Sequence, residues 1–310
     1  MSQFYFTHIV LFQSTFTVLL LALSIQVQLR MGVFSFAGAG FYGLGSYGAA
    51  IFVIRYGFSS FAAIAAIMIV CGVIGFLLAL LVQRLNGLYL AMATVSFDLI
   101  ITVVAHNGGS LTGASVGLFG ALAFPQLTIG HIIAITVLVV ALLALSERGR
   151  LGRRIDAVRE DPELAASMGV NVSRYRISSF VISGLIGALG GAINVLLRTT
   201  VAPESIGFPL VVLGLTIIIV GGGRSWLGIV LGAIIFTWLP YYLEIVGQYQ
   251  AIVYGIIVAI AAVYVPGGIY GTALDLVRKS KAKRLAGVAR KKEPDDTVEE
   301  LALAEIGDKP

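Results

Sequence analysis

Long apolar stretches dominate this sequence and restrict its fold more than any other feature. A helix needs about 20 apolar residues to cross the hydrocarbon core of a bilayer. The sequence is 58% hydrophobic and 12% charged, about half the charged fraction of a soluble domain. It therefore predicts an all-α, polytopic transmembrane helical protein with about nine membrane segments, at residues 9–28, 33–54, 58–82, 88–105, 127–146, 177–197, 208–221, 227–247 and 249–265.

Two of these segments differ from an ordinary membrane helix. Residues 33–54 are so rich in glycine that the segment can be broken or re-entrant. Residues 208–221 barely span the core at about 1.5 Å per residue, so this segment is either a discontinuous helix or one whose ends lie elsewhere. A transmembrane barrel is excluded, because runs such as Ile132–Leu145 do not alternate between apolar and polar residues.

Two clusters of basic residues predict the orientation. One lies in a polar loop, residues 147–176, and the other in residues 278–292, with four segments between them. Basic residues beside membrane segments stay on the cytoplasmic side. An even number of segments between the two clusters places both on the same side of the membrane, as this rule requires. The pattern predicts a transmembrane domain (1–277) with an external N-terminus, and a charged cytoplasmic tail (278–310) whose basic half lies on anionic lipid. The net charge of +5 therefore does not indicate nucleic-acid binding.

The polar loop contains a short helix with a start and a stop signal. Asp161 can accept hydrogen bonds from free backbone N–H groups, and Pro162 suits the first helical position. Glu163 favours the positive end of the helix dipole, and Gly169 is a natural left-handed terminator. A helix of about two turns is not stable alone in water. We therefore expect it to dock on its own transmembrane core or on another protein, with a plain surface helix as the alternative.

Glycine accounts for 37 of the 310 residues, and several glycines crowd the second segment. Helices in lipid depend on close contact through small residues, so helix packing explains most of them. A run this dense also suits the lining of a translocation path. The candidate path residues are Gly38, Gly40, Gly43 and Gly45, together with the acidic residue Asp98.

Asp98 is predicted to lie deep in the membrane, because it falls in the middle of the stretch AMATVSFDLIITVV. An ionisable group is costly at that depth and indicates a function. Asp98 can act as a gate, as a ligand for a substrate ammonium group or as a proton carrier, or it can form a hydrogen bond between helices. Glu244, His106 and His131 fall near the predicted ends of segments, where side chains reach the interface.

The sequence lacks the patterns of catalytic and nucleotide-binding sites. A phosphate-binding loop of the type GxxxxGK[ST] is absent, since the first lysine is Lys279. Residues 221–225 read GGGRS, which is a glycine turn, and neither zinc-ligand spacing nor a Ser–His–Asp arrangement occurs. We therefore predict that the chain is not an enzyme, has no catalytic or metal-binding residue, and binds no cofactor of its own.

The polar loop resembles the loop through which permeases of ATP-binding-cassette importers meet their ATPase subunits. Glu163, Ala165, Ala166 and Gly169 match the degenerate E-A-A…G pattern of that loop, although the Ile and Leu-Pro that follow in the general pattern are absent. Over residues 28–271 the sequence is similar to the branched-chain amino acid permeases of the LivM type, with the LivH type as sister family. The segments that carry this resemblance are AVREDPELAASMGVNVSRYRISSFVISGLIGALGGA, GLYLAMATVSFDLI, NGGSLTGASVGL, TTVAPESIGF, IIIVGGGRSWLG and VPGGIYG.

The resemblance implies a permease subunit in a bacterial inner membrane that imports leucine, isoleucine and valine by alternating access. It implies a homologous permease of the LivH type, two ATPase subunits holding ATP and Mg²⁺, and a periplasmic substrate-binding protein as partners. External segments 107–125 and 199–208 would receive the binding protein. The ATPase-coupling helix would comprise Arg159, Asp161, Pro162, Glu163, Ala165, Ala166 and Gly169.

Two positions depart from the pattern of this family. Many members have Leu-Ser-x-Gly-His where this sequence reads FSFAG at residues 34–38, and many have a Glu beside the position of Asp98. Related permeases carry urea, short amides or other small solutes, which remain alternatives. A secondary transporter or channel, which would work without partners, and a purely structural membrane scaffold are the alternatives from other classes.

Overall fold

The computed structural model describes residues 8–223, 225–264, 268, 269 and 271. Helices make up most of these ranges, which confirms the all-α architecture. The predicted tail of residues 278–310, with its basic cluster, lies outside the described residues. The helices are α1 (Ile9–Arg30), α2 (Ala37–Tyr56), α3 (Ser60–Val82), α4 (Gly87–Asn107), α5 (Ile129–Ser146), α6 (Gly149–Glu160), α7 (Pro162–Ser167), α8 (Val172–Arg198), α9 (Phe208–Gly221), α10 (Trp226–Leu243) and α11 (Gln250–Tyr264).

Eight stretches of the described chain are long and apolar enough to cross a membrane, compared with the nine segments predicted. The difference arises after residue 226, because the stretch Trp226–Ala261 counts as one span but contains both α10 and α11. A 3₁₀ turn, Glu244–Tyr249, separates these two helices, and Gly247 within it has φ +60. The predicted count of nine is therefore approximate.

The predictions for the glycine-rich segment, residues 33–54, and for the short segment, residues 208–221, have different outcomes. The glycine-rich segment forms one continuous helix of 20 residues, α2, so it is neither broken nor re-entrant. The short segment begins and ends where the sequence predicted, since α9 spans Phe208–Gly221 and is 14 residues long. A 3₁₀ turn, Pro203–Ser205, precedes it and extends the apolar stretch to 19 residues.

Helix α8 is the centre of the fold and packs against α1, α2 and α3. It begins directly after the polar loop and runs for 27 residues, so its last residue, Arg198, lies at the opposite end of the helix bundle. At that end, strand β1 (Leu118–Phe119) pairs antiparallel with β2 (Thr200–Val201) and joins the connections that follow α4 and α8.

Glycines allow the backbone of α8 to come into direct contact with the backbones of neighbouring helices. A β-carbon at Gly184 would lie 2.7 Å from the Cys71 carbonyl oxygen of α3, and one at Gly75 would lie 2.7 Å from the Phe180 carbonyl oxygen of α8. On the other side of α8, a β-carbon at Gly191 would overlap the Tyr42 carbonyl oxygen of α2. Because lipid tails are as apolar as the helices, such close packing supplies the attraction that water supplies in a soluble core.

We predict that Gly191→Ala destabilises the fold while Gly255→Ala does not. The added methyl group at Gly191 meets the backbone of α2, and overpacking of this kind costs about 1–3 kcal/mol. Gly255 in α11 has no atom within 4 Å of the added carbon, and alanine is the better helix former. Thermal melting of each purified variant in detergent, followed by size-exclusion chromatography, measures the difference. Equal melting temperatures for the two variants would contradict the role of Gly191.

Candidate functional site

The polar loop folds into two helices, α6 and α7, followed by the start of α8. Gly152, Ile155 and Val158 lie three residues apart on α6 and are buried, whereas its arginines point away from this face. Helix α7 was predicted from the sequence, but α6 was not. The spacing of these three small or apolar residues among charged ones is the signal that could have revealed it.

Helix α7 is fixed at its start by Asp161 and at its end by Gly169. The Oδ1 atom of Asp161 accepts hydrogen bonds from the backbone N–H groups of Glu163 (3.0 Å) and Leu164 (2.9 Å), and Pro162 occupies the first helical position. Gly169 adopts the left-handed conformation (φ +84), and the backbone N–H groups of Gly169 and Val170 donate to the carbonyl oxygens of Ala166 and Ala165. This pair of bonds is a Schellman motif, so the predicted start and stop of the helix are confirmed.

One face of α7 is packed and the other is open. Ala165 is 2% exposed, and α7 contacts α6 and α8. Leu164 and Met168, four residues apart, are 58% and 76% exposed, and Arg159, Asp161, Glu163 and Ala166 are exposed as well. The described residues therefore leave this apolar pair uncovered, as docking on another protein requires, and that docking stays a prediction.

Two contacts attach α6 to the membrane helices. Arg30, the last residue of α1, forms an ion pair with Glu147, which lies directly after α5 and two residues before α6, and the two side chains are only 16% and 20% exposed. At the other end of α6, Gly32 (φ +74) lies so close that a β-carbon there would be 3.1 Å from the Cα atom of Arg159. Because Gly32 belongs to the connection between α1 and α2, both attachments link the polar loop to these two helices.

The candidate path glycines all lie at contacts between helices. A β-carbon at Gly38 would be 2.6 Å from Ser24 Oγ, one at Gly40 would be 2.7 Å from the Phe97 ring, and one at Gly43 would be 3.6 Å from Ile101 Cγ2. Gly45 lies directly against the backbone of Ala188. These contacts match the helix-packing interpretation, and the lining of a path by the same residues stays a prediction.

Asp98 is buried as the sequence predicted, with 1% of its surface exposed. It lies against Gly40, since a β-carbon on that glycine would be 3.3 Å from the Asp98 Cα atom. Its Oδ2 atom has no hydrogen-bond partner among the described residues, and Thr102 Oγ1 bonds to its backbone oxygen rather than to its carboxylate (3.1 Å). The predicted hydrogen bond between helices is therefore not formed by Oδ2, which leaves this oxygen free for a ligand or a proton.

The predicted site residues thus form two separate groups. Gly40 and Asp98 come together where α2 packs on α4, whereas the residues of the coupling helix lie on α7 and at the end of α6. The sequence did not reveal that Arg30, Gly32 and Glu147 connect the second group to the membrane helices. Arg30 and Glu147 are 117 residues apart, and only the fold brings them together.

Comparisons with known proteins identify relatives along most of the chain. Residues 9–262 match a family model described as the permease component of the branched-chain amino acid transport system. The high-affinity branched-chain amino acid permease LivM of Salmonella typhimurium is 25% identical over 82% of this chain and 67% of its own length. A probable branched-chain amino acid permease, LivH, of Methanocaldococcus jannaschii is 27% identical over 86% of this chain and 90% of its own length.

A sugar permease is similar over a shorter part of the chain. The fructose import permease FrcC of Rhizobium meliloti is 32% identical over 42% of this chain and 38% of its own length. No solved structure matches the chain.

We predict that Asp161→Ala loosens α7 without unfolding the membrane helices. Loss of a side-chain cap costs about 1 kcal/mol, which corresponds to amide exchange about fivefold faster when the helix opens locally. Hydrogen–deuterium exchange of residues 162–170 measures this change. Ser173→Ala in the first turn of α8 is the control, because its side chain forms no hydrogen bond within the described ranges. Unchanged exchange in the Asp161 variant would contradict the capping role.

Proposed function

The chain belongs to the family of branched-chain amino acid transport system permeases, and from this premise we propose that it imports leucine, isoleucine and valine across a bacterial inner membrane. It is a multi-pass membrane protein and an ABC-type permease subunit, and permeases of this class work with ATPase and binding-protein components. In our proposal the second permease is of the LivH type, the polar loop is cytoplasmic, and the binding protein is periplasmic.

The extent of similarity supports branched-chain amino acids over other solutes. The LivM and LivH relatives align with more than four fifths of this chain, whereas the fructose permease aligns with 42% of it. Similarity along the whole membrane domain includes the helices that surround a translocation path, while a partial match can reflect shared packing alone. We therefore propose branched-chain amino acids as the substrates, with urea, short amides, sugars and other small solutes as the competing candidates.

The observation that best supports a coupling role is the open face of α7. Its caps hold the helix in one conformation, and Leu164 and Met168 remain exposed on it. A preformed helix with an apolar pair on one face fits a groove on another protein and loses little conformational entropy on binding. We propose that each ATPase subunit offers such a groove and that ATP and Mg²⁺ bind in the ATPases.

The attachments of α6 suggest how movement of the ATPases reaches the membrane. When the ATPases close, they displace α7 and with it α6, to which α7 is packed. The Arg30–Glu147 ion pair and the contact between Gly32 and Arg159 then carry this displacement to α1 and to the connection that leads into α2. Both helices pack on α8. A change in their tilt would therefore open the path first to one side of the membrane and then to the other.

Reconstitution tests the transport function directly. We predict ATP-dependent uptake of radiolabelled leucine into proteoliposomes that contain this chain, the LivH-type permease, both ATPases and an external binding protein. Liposomes without the ATPases are the control, and fructose and urea with their own binding proteins test the competing substrates. Uptake of leucine by this chain alone down an ion gradient would reject the proposal in favour of a secondary transporter.

Substitution of the exposed apolar pair tests the coupling role. We predict that Leu164→Ser combined with Met168→Ser lowers association with the ATPases by about tenfold or more, since burial of two large apolar side chains is worth about 3 kcal/mol or more. The melting temperature of the isolated chain should stay the same, because both side chains are exposed.

A matched control for this variant lies at the opposite end of the helix bundle. Ile245→Ser in the 3₁₀ turn after α10 removes an apolar side chain that is 92% exposed, and it should leave ATPase association unchanged. Co-purification of the assembled complex from detergent measures association for both variants. Equal recovery of ATPase with the double variant and the control would rule out α7 as the coupling helix.

A further inference from the structure

A cavity lined by both polar and apolar residues surrounds Arg198 at the end of α8 opposite the polar loop. Two adjoining cavities of about 280 and 340 Å³ share four lining residues, namely Ser14, Asn194, Arg198 and Thr200. Each is near the lower end of the size range of small-molecule sites. We call them together the outer cavity. The side chains that α1, α2 and α8 contribute to it include hydroxyl and amide groups, so its wall can form several hydrogen bonds.

Arg198 is oriented by neutral side chains and keeps free hydrogen-bond donors. Its Nε atom donates to Asn194 Oδ1 (3.2 Å) and its Nη2 atom donates to Ser14 Oγ (2.8 Å). A guanidinium group has five N–H donors, so these two bonds leave three. These two bonds orient the guanidinium of Arg198, and its remaining N–H donors are available to bind an anion.

Arg198 also lacks a negative partner within the described chain. None of the residues that line the outer cavity is acidic, and Arg198 forms no ion pair among the described residues. Glu204 is the acidic residue nearest in the sequence, and it is exposed on the turn after β2 rather than in the wall of the cavity. A cation in the wall of a cavity whose described lining holds no counter-charge attracts an anionic ligand.

The outer cavity leads from the surface towards the packed centre of the fold. Arg198 is exposed at its mouth, whereas Tyr42 in its wall is only 5% exposed. Thr17 and Val18 of α1 extend the same wall beyond Ser14. Tyr42 belongs to α2, the helix that carries the candidate path glycines. The cavity therefore connects the external surface with the helices assigned to the path.

We propose that the outer cavity is an entry subsite in which Arg198 binds the carboxylate of the transported amino acid. This inference rests on the proposed function and goes beyond it by naming the group that is recognised. Arg198 binds the carboxylate through its free N–H donors, and Ser14 and Asn194 position the guanidinium. Sugars, urea and short amides lack a carboxylate, so this subsite favours amino acids among the competing solutes.

Ligands that differ in one group test this assignment on the assembled complex without binding protein. We predict that leucine and isovalerate, which share a carboxylate and a branched side chain, raise the melting temperature of the complex in a saturable manner. Leucinamide, which keeps the ammonium group and the side chain, should have no effect. In Arg198→Gln the rise with leucine should disappear, and in Arg198→Lys it should persist at higher leucine concentrations, because lysine retains the charge but not the planar geometry.

Arg55→Gln is the matched control for these measurements. Arg55 lies in the last turn of α2 on the same side of the bundle, donates to the Ser110 backbone oxygen and does not line the outer cavity, so its replacement should leave the leucine-dependent rise intact. A rise with leucinamide equal to that with leucine, or an unchanged rise in Arg198→Gln, overturns the proposal.

Transport assays distinguish substrate binding at Arg198 from a contact between Arg198 and the binding protein. With saturating binding protein, we predict that Arg198→Gln lowers leucine uptake by about tenfold or more, which corresponds to the loss of one charge-assisted contact, while binding-protein affinity stays unchanged. A loss of binding-protein affinity would show that Arg198 contacts that protein and would overturn the subsite. If the wild-type complex carries no branched-chain amino acid, the proposed function fails, whereas equal uptake by wild type and variant rejects the subsite alone.

Discussion

The close approach of α8 to its neighbours is the interaction on which the rest of this structure depends. In a bilayer, apolar side chains gain nothing by leaving the surrounding hydrocarbon. Membrane helices therefore associate through close van der Waals contact and hydrogen bonds. Gly184 and Gly191 let the backbones of α3 and α2 come within contact of α8. Ser24 of α1 also donates a hydrogen bond to the Ser183 carbonyl oxygen (2.8 Å). These contacts fix α1, α2 and α3 around one central helix.

The central helix also connects the two ends of the molecule to which we assign functions. Its first turn is capped by Asn171, whose side chain accepts from the Arg174 N–H (3.1 Å), directly after α7 and its Gly169 terminator. Its last residue is Arg198, in the wall of the outer cavity. Because one continuous helix joins the proposed coupling surface to the proposed substrate subsite, displacement at one end would change packing at the other. This arrangement gives the proposed alternating access a physical route.

Local signals in the sequence predicted those parts of the site whose structure depends on neighbouring residues. Asp161 and Gly169 act on backbone groups within a few positions, so the start and end of α7 follow from residue type. Burial of Asp98 likewise follows from its place in an apolar stretch. The Arg30–Glu147 ion pair, the contact of Gly32 with Arg159 and the cavity around Arg198 join residues that are far apart in the chain, and no local pattern encodes them.

The sequence by itself determined that the protein has many membrane helices, that its glycines let these helices pack closely, and that the polar loop contains a capped helix. Apolar length, small residues and capping groups act locally, so they can be recognised one segment at a time. Tertiary structure alone decided that α2 is unbroken, that its glycines face neighbouring helices, and that Asp98 Oδ2 lacks a partner among the described residues. It also decided that Arg198 faces a cavity whose described lining holds no counter-charge. Whether a polar group is satisfied depends on what other helices bring to it, and that is set by their packing.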